Sequence, residues 1–196
     1  MRKIVFVLFL AVLSIGLANS VQAQMKGDMK MDKMSKDNPM VGGAAMYKNK
    51  NIVENAVNSK DHTTLVAAVK AAGLVDTLES KGPFTVFAPT NEAFDKLPAG
   101  TVDTLLKPEN KAMLQKILKY HVIAGDYNSK KIMAAIKKGK GKATFKTVEG
   151  GTLTATMDGN TLVLTDEKGG MSRVTIADVK QSNGVIHVVD TVLMPS

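Results

Sequence analysis

The spacing of apolar residues predicts helices in the first half of the chain and strands in the second. Leu65, Val69 and Ala72 recur at three- and four-residue intervals, which is typical of an amphipathic helix, and Gly73 ends it. Similar spacing predicts a short helix around Ile52. Further helices are predicted to begin at Asn91, to follow Pro108 and to extend over residues 130–137.

The helix after Pro108 has an apolar face that also carries two residues with polar groups, Tyr120 and His121. Met113, Ile117 and Tyr120 form one row on this helix, and His121 belongs to the adjacent row. Because both rows are otherwise apolar, we expect His121 to lie in the core or at its margin.

One strand interrupts the helices, and several strands follow them. Residues 84–88 are rich in β-branched and aromatic side chains, Pro89 ends this strand, and Thr90 is placed to cap the helix that begins at Asn91. Gly150-Gly151 and Asp158-Gly159 are strong hairpin signals. The later strands are predicted at residues 143–148, 152–157, 161–165, 173–176 and 185–189. Helices followed by antiparallel strands indicate an α+β domain.

The N-terminus carries the three parts of a secretory signal peptide. Arg2 and Lys3 precede an apolar run over residues 4–18, and Val21-Gln22-Ala23 provides a small-x-small cleavage site. We therefore predict a signal peptide over residues 1–23 and a secreted or periplasmic product. The apolar run is shorter than the roughly 20 residues that span a bilayer, so the mature form is expected to have no transmembrane span.

Residues 24–46 show neither helical nor strand periodicity and are predicted to be a flexible, hydrophilic linker, followed by one domain over residues 47–196. Methionines are concentrated in this stretch. Thioether sulfur is a ligand suited to Cu(I), which makes a copper-binding tail an alternative interpretation. The candidate ligands are Met25, Met29, Met31 and Met34.

The chain lacks the residues of most catalytic sites. It contains no Cys, so it has neither a thiol nucleophile nor a disulfide. His62, His121 and His187 are its only histidines, and none lies at the i, i+4 spacing of a helical metal pair. A Gly-x-Ser-x-Gly elbow is also missing. We predict a protein without enzymatic activity and without a cofactor.

The net charge is positive and locally concentrated. The chain carries a formal charge of +8, of which Arg2 and Lys3 leave with the signal peptide, and residues 107–146 contain eleven Lys against Glu109 and Asp126. Such a surface attracts anionic partners. Arg173 is the only arginine besides Arg2, and few aromatic residues lie among the lysines, which disfavours nucleic acid. Two interpretations stay open: a solvated face that confers solubility, and a dedicated polyanion site.

Two segments resemble the hallmark sequences of a known family. They are residues 85–94 (TVFAPTNEAF) and residues 183–195 (NGVIHVVDTVLMP), with Tyr120-His121 between them. Together they resemble the fasciclin (FAS1) domain over about residues 47–195. The resemblance implies the FAS1 fold, in which a helix-bearing N-terminal half packs on an antiparallel β wedge or sandwich.

The resemblance also implies candidate binding residues. In FAS1 domains the Tyr-His region and an Asp-Ile dipeptide before the second segment are linked to cell-surface receptor binding. Tyr120, His121 and Asp178 match these positions here, although Val179 stands in place of the isoleucine. The alternative interpretation is structural: Tyr120 and His121 as buried rings bonded to backbone, and Asp178 as a turn or cap residue.

These observations predict a secreted, monomeric FAS1 module for adhesion at a cell surface or in an extracellular matrix. Its partner is expected to be a surface or matrix protein or a polysaccharide. The alternatives are Cu(I) handling by the methionine-rich tail and transport of a small apolar ligand, since a wedge between helices and a sheet can contain a cavity.

Overall fold

All helices of the described chain precede residue 139. The computed structural model describes residues 38–196, and the predicted signal peptide and the four candidate copper ligands lie outside these residues. Single 3₁₀ turns at Lys60–His62 and Pro108–Asn110 precede two of the three ten-residue helices. The helices are α1 Ile52–Ala56, α2 Thr63–Ala72, α3 Val75–Glu79, α4 Asn91–Asp95, α5 Thr101–Leu105, α6 Lys111–Tyr120 and α7 Ser129–Lys138.

Seven strands form one mixed sheet, and two very short strands form a separate hairpin. The hairpin consists of β1 (Met40–Val41) and β2 (Ala44–Ala45). The sheet has the order β4-β3-β9-β8-β7-β6-β5. Its strands are β3 Phe84–Pro89, β4 Val122–Ala124, β5 Lys142–Lys146, β6 Thr152–Asp158, β7 Thr161–Thr165, β8 Met171–Gln181 and β9 Gly184–Val189. The predicted α+β class is therefore confirmed.

The two hallmark segments pair with each other as β3 and β9, the second and third strands of the sheet. β3 and β9 run parallel, with Thr85 opposite Val185 and Phe87 opposite His187, whereas every other neighbouring pair is antiparallel. Hairpin signals predict only local antiparallel pairs, so they contain no information about this long-range parallel pair.

β3 and β9 are buried on both faces of the sheet. Successive side chains of a strand point to opposite faces, so each strand contributes to two cores. On β3, Val86 and Ala88 belong to one apolar cluster and Phe87 belongs to the other. We call these clusters the helix-side core and the strand-side core. The helix-side core includes Met46, Ile52, Leu65, Val69, Leu78, Val86, Leu118, Ile186 and Val188. The strand-side core includes Phe87, Tyr120, Ile132, Ile136, Phe145, Leu153, Leu164, Val189 and Leu193.

The packed domain begins before the predicted boundary at residue 47. Val41 and Met46 are buried in the helix-side core, and the Met46 N–H donates to the Pro39 carbonyl at 3.0 Å. The prediction that the linker extends to Met46 is therefore wrong, because its last residues pack against the domain. Two isolated apolar side chains in a Gly-rich stretch are too few to produce a recognisable period.

The helix ends in the structure agree with the local signals in the sequence. The Thr90 side chain accepts a hydrogen bond from the Ala93 N–H, and α2 ends at Gly73, whose φ of 67° favours glycine. The prediction that Met113 belongs to the buried face of its helix is wrong. Met113 is 53% exposed, because α6 buries only the face that carries Leu114, Ile117 and Leu118.

Candidate functional site

Tyr120 is fully buried in the strand-side core at the end of α6. Its hydroxyl donates to the Thr152 carbonyl at 2.6 Å and accepts from the Glu167 N–H at 3.2 Å. Burial raises the pKa of Tyr120 to about 12, so the phenol stays protonated at physiological pH. The side chain links α6 to two strand ends, and its polar atom is fully occupied.

His121 joins α6 to the C-terminal segment. It is buried, its Nδ1 lies 2.9 Å from the Ile117 carbonyl, and its Nε2 accepts from the Leu193 N–H at 3.0 Å. Because a backbone N–H can only donate, Nε2 carries no proton and the Nδ1–H donates to Ile117. Burial lowers the pKa of His121 to about 4, which keeps the ring neutral.

Asp178 holds the start of α7 from a neighbouring strand. Its carboxylate accepts from the Ser129 N–H at 2.7 Å and from the Ser129 hydroxyl, and its own N–H donates to His187 Nδ1 at 3.4 Å. Burial opposes ionisation, but the hydrogen bonds from Ser129 prevail and lower the pKa of Asp178. Its φ of 61° is unusual for a residue with a side chain.

The three predicted contact residues are thus engaged within the fold. Tyr120 and His121 are buried, and the half-buried Asp178 is bound to Ser129. Each has a structural role, as the alternative interpretation expects. A direct role in receptor contact stays a prediction.

Asn183 in the second hallmark segment connects the helical half to the sheet. Its Oδ1 accepts from the Ile52 N–H at 3.1 Å, and its Nδ2 donates to the Leu78 carbonyl at 2.7 Å and to the Ser80 carbonyl at 3.0 Å. One buried side chain therefore satisfies backbone groups at the start of α1 and the end of α3. This segment, like the first, is explained by folding.

Exposed lysines lie on α7, in the turn that follows it and on the edge strand β5. Lys131 pairs with Asp126 at 3.4 Å, but none of its lysine neighbours in residues 130–146 forms an ion pair. Asp126 and Glu149 are the only acidic residues between positions 125 and 157. We call the unpaired set the lysine surface: Lys130, Lys137, Lys138, Lys140, Lys142 and Lys146.

A cavity of about 70 Å³ lies in the helix-side core. Side chains of α1, α2 and α3 line it on one side, and side chains of β3 and β9 line it on the other. Almost all of the lining is apolar. His62, His121 and Ser59 are its buried polar members.

The three histidines differ in how completely they are bonded. His187 is fully buried, stacks on Phe87 at 5.6 Å between ring centroids, and has its Nε2 2.9 Å from the Tyr127 carbonyl. His62 has a partner only at Nδ1, which lies 2.8 Å from the Ser59 hydroxyl. No sequence signal indicates this difference, because it depends on which backbone groups of distant segments face each ring.

The described residues contain neither a cluster of three potential metal ligands nor a helix that could span a membrane. Within residues 38–196, no three His, Asp or Glu side chains are grouped so that they could hold a metal ion. In the same part of the chain, no helix is both long and apolar enough to cross a membrane. The lysine surface and the cavity are the two candidate regions for binding a partner.

Comparison with known proteins gives a consistent family assignment. The family model described as the fasciclin domain matches residues 60–195. Protein sll1483 of Synechocystis sp. is 41% identical over 184 residues, which are 93% of this chain and 90% of that protein. The cell surface glycolipoprotein MPB83 of Mycobacterium bovis is 37% identical over 145 residues, which are 71% of this chain and 58% of MPB83.

A solved structure supports the fold independently. The FAS1 domain pair of the insect cell adhesion molecule Fasciclin I superposes with a TM-score of 0.65 at 18% identity. The match covers 74% of this chain and 51% of the Fasciclin I chain. At this identity the likeness shows a shared fold, and it confirms the fold implied by the two hallmark segments.

Proposed function

The chain belongs to the fasciclin domain family, and on that premise we propose that it is an exported, non-enzymatic FAS1 module that attaches to an anionic polysaccharide of a cell surface or matrix. The lysine surface is the contact region. Export follows from the signal peptide predicted over residues 1–23. MPB83 is a cell surface glycolipoprotein and Fasciclin I is a cell adhesion molecule, which supports the same setting here.

The observation that carries the proposal is the unpaired state of the lysine surface. Its ammonium groups lie close together along the chain without carboxylate partners, so their charges repel one another and attract a polyanion. A flexible lysine point charge suits a polymer whose negative charges repeat without fixed geometry, whereas planar bidentate recognition calls for arginine. Arg173 is already paired with Asp158 at 2.7 Å.

A purely structural explanation accounts for part of the surface. Lys142 and Lys146 lie on the edge strand β5, where lysine discourages pairing with another chain. Lys137 and Lys138 lie in the last turn of α7, where positive charge is favourable to the helix dipole. Lys140 lies in the turn between α7 and β5, so neither edge-strand protection nor the helix dipole explains it. Its φ is positive, a conformation that favours glycine, which makes a lysine here more unusual.

A binding isotherm on an immobilised uronic acid polysaccharide tests the proposal. Replacing Lys137, Lys138, Lys140 and Lys142 by Gln is expected to weaken binding at least about tenfold, and the wild-type affinity is expected to fall steeply with salt. The matched control replaces four exposed lysines elsewhere, Lys48, Lys60, Lys70 and Lys81, by Gln. Equal losses in both variants would show that net charge alone drives binding and would contradict a dedicated surface.

The methionine-rich tail supports a second candidate function, Cu(I) binding. Met25, Met29, Met31 and Met34 provide soft thioether ligands within ten residues. Met46, the last methionine of the predicted linker, is buried in the helix-side core and is not part of this set. Cu(I) titration of the intact mature chain is expected to show a site that is lost when residues 24–37 are deleted; equal binding by both forms eliminates the tail as the ligand.

A further inference from the structure

His62 presents an unusual combination of burial and incomplete bonding. It ends the 3₁₀ turn before α2, is only 3% exposed, and has its Nδ1 bonded to the Ser59 hydroxyl. Its Nε2 is the one buried side-chain nitrogen or oxygen in residues 38–196 that has no hydrogen-bond partner. Buried polar atoms are almost always paired, so this atom points to an interaction outside the chain itself.

The ring of His62 is neutral at physiological pH. Burial lowers the pKa of His62 and outweighs the opposing effects of the Asp61 carboxylate and of the Ala88 carbonyl, which lies near the ring but outside hydrogen-bonding geometry. A neutral imidazole has one nitrogen that donates and one that accepts. If the Ser59 hydroxyl donates to Nδ1, Nε2 is a donor; if it accepts, Nε2 is an acceptor.

The surroundings of His62 define what else the partner must contain. The ring lines the apolar cavity in the helix-side core, together with Met46, Ile52, Leu65, Val69 and Leu78. Thr77 and Val148, which also line it, are exposed, so the cavity extends to the surface. A partner must therefore have an apolar body that contacts these side chains and a single polar group for the imidazole.

A hydroxyl group meets the polar requirement best. It donates and accepts, so it bonds to Nε2 in either tautomer of His62. A carboxylate would have to be desolvated in an almost wholly apolar lining. Water alone normally needs two to four polar partners, and Ser59 and His62 already use one of their bonding positions on each other.

We propose that this cavity is a binding site for an apolar molecule that carries a hydroxyl group, with His62 Nε2 as its hydrogen-bond partner. The volume of about 70 Å³ sets the size of the bound portion. A cavity of ~150 Å³ holds benzene, so this one takes a shorter chain or the hydroxyl-bearing end of a larger molecule. The site is separate from the lysine surface, and each can be tested while the other is intact.

The first test observes the wild-type chain directly. ¹⁵N NMR of the histidine rings is recorded while the protein is titrated with ethanol, a chain short enough for the cavity. We expect a saturable shift of the His62 Nε2 resonance. The His187 resonances serve as an internal control, because both nitrogens of that ring are bonded to backbone. A His62 resonance that stays unchanged, or that moves together with those of His187, contradicts the proposal.

The second test separates the hydrogen bond from the apolar contact. Dissociation constants for ethanol and for propane, which has a methyl group in place of the hydroxyl, are compared in wild type and in His62→Leu. Loss of the hydrogen bond is expected to weaken alcohol binding about three- to tenfold more than alkane binding. Equal changes for the two molecules would overturn the role of His62.

A blocking variant establishes that the cavity is the site. Ala56 is half-buried in the lining, so Ala56→Leu extends a larger side chain into the cavity at a position that tolerates growth. Both probes should lose measurable binding to this variant, whose folding is checked by its unfolding midpoint. Undiminished binding of both probes to folded Ala56→Leu would show binding elsewhere at high concentration only and would overturn the proposal.

Discussion

The helix-side core and the strand-side core lie on opposite faces of β3 and β9, and they differ in how completely their polar groups are hydrogen-bonded. In the strand-side core, the Tyr120 hydroxyl and both nitrogens of His187 are bonded, and Phe87 stacks on His187. The helix-side core contains a cavity and one imidazole nitrogen without a partner. Hallmark residues contribute to both cores, but the capacity for further binding lies in the helix-side core, where bonding is incomplete.

The same contrast separates the buried hallmark residues from the lysine surface. Tyr120, His121 and Asn183 each satisfy backbone groups of distant segments. None of the six lysines of the lysine surface forms an ion pair within residues 38–196. Residues that define the fold and residues that contact a partner are therefore expected to be different sets, which the following substitutions can test.

The largest expected difference is between two histidines. His121→Leu leaves the Leu193 N–H and the Ile117 carbonyl without their side-chain partner, so we expect the free energy of unfolding to fall by about 3 kcal/mol. His62→Leu leaves only the buried Ser59 hydroxyl without its partner and also removes the unpaired Nε2, so its cost should be about 1 kcal/mol. Denaturant unfolding of both variants measures this; equal losses would contradict the contrast between the two rings.

Acid should destabilise the protein mainly through its buried histidines. His121 has a folded-state pKa of about 4 against an ordinary value of 6.5, because burial disfavours the charged ring. As pH falls below 6.5 the unfolded chain binds a proton that the folded chain does not, so stability is lost until about pH 4. The depressed pKa values of His62 and His187 act in the same direction.

The His121 contribution to this loss is roughly 3 kcal/mol over that range. Unfolding free energies at pH 7.0, 5.5 and 4.5 measure it. The lowered pKa of Asp178 gives a loss only at lower pH, as its carboxyl is protonated below its ordinary value of 3.8. His121→Gln should be less stable at pH 7 yet flatter between pH 6.5 and 4; a slope as steep as that of the wild type would assign the acid sensitivity to other groups.

One methylene group added to each core compares their packing. Val189 is fully buried in the strand-side core, and Val189→Ile is expected to cost about 1–2 kcal/mol by overpacking. Val69 lines the cavity, so the same substitution there should change stability by less than about 0.5 kcal/mol or increase it. Thermal unfolding of the pair measures the difference, and a larger cost at Val69 would mean that the cavity does not accept an added carbon.

The smallest effect concerns a single hydroxyl. Tyr120→Phe keeps the ring in the strand-side core but leaves the Thr152 carbonyl and the Glu167 N–H without that partner. Because Thr152 and Glu167 are exposed, water can replace the lost bonds, and we expect a cost of about 1 kcal/mol. A chemical-denaturation midpoint measures it; a loss beyond about 3 kcal/mol would show that the hydroxyl organises more of the sheet than its two bonds.

The sequence predicts those parts of the fold that depend on local signals. The α2 stripe that ends at Gly73, the Thr90 cap and the Asp158-Gly159 hairpin all follow from neighbouring residues. The parallel pairing of β3 with β9 and the packing of Met46 depend on contacts between distant segments, which no local period contains.

The candidate sites divide in the same way. The lysine surface can be recognised from sequence because its charges lie close together along the chain. The unpaired Nε2 of His62 cannot, because His62 looks no different from His121 in sequence. Only the backbone groups of residues 117 and 193, brought to His121 by the fold, distinguish the two rings.

The most direct measurement compares polysaccharide attachment by Tyr120→Phe and by the four-lysine variant at positions 137, 138, 140 and 142, each checked to be folded. The account predicts that Tyr120→Phe binds like wild type, within about twofold, while the lysine variant loses at least about tenfold in affinity. The opposite result, in which loss of the Tyr120 hydroxyl abolishes attachment by a folded protein and loss of the lysines does not, would contradict it.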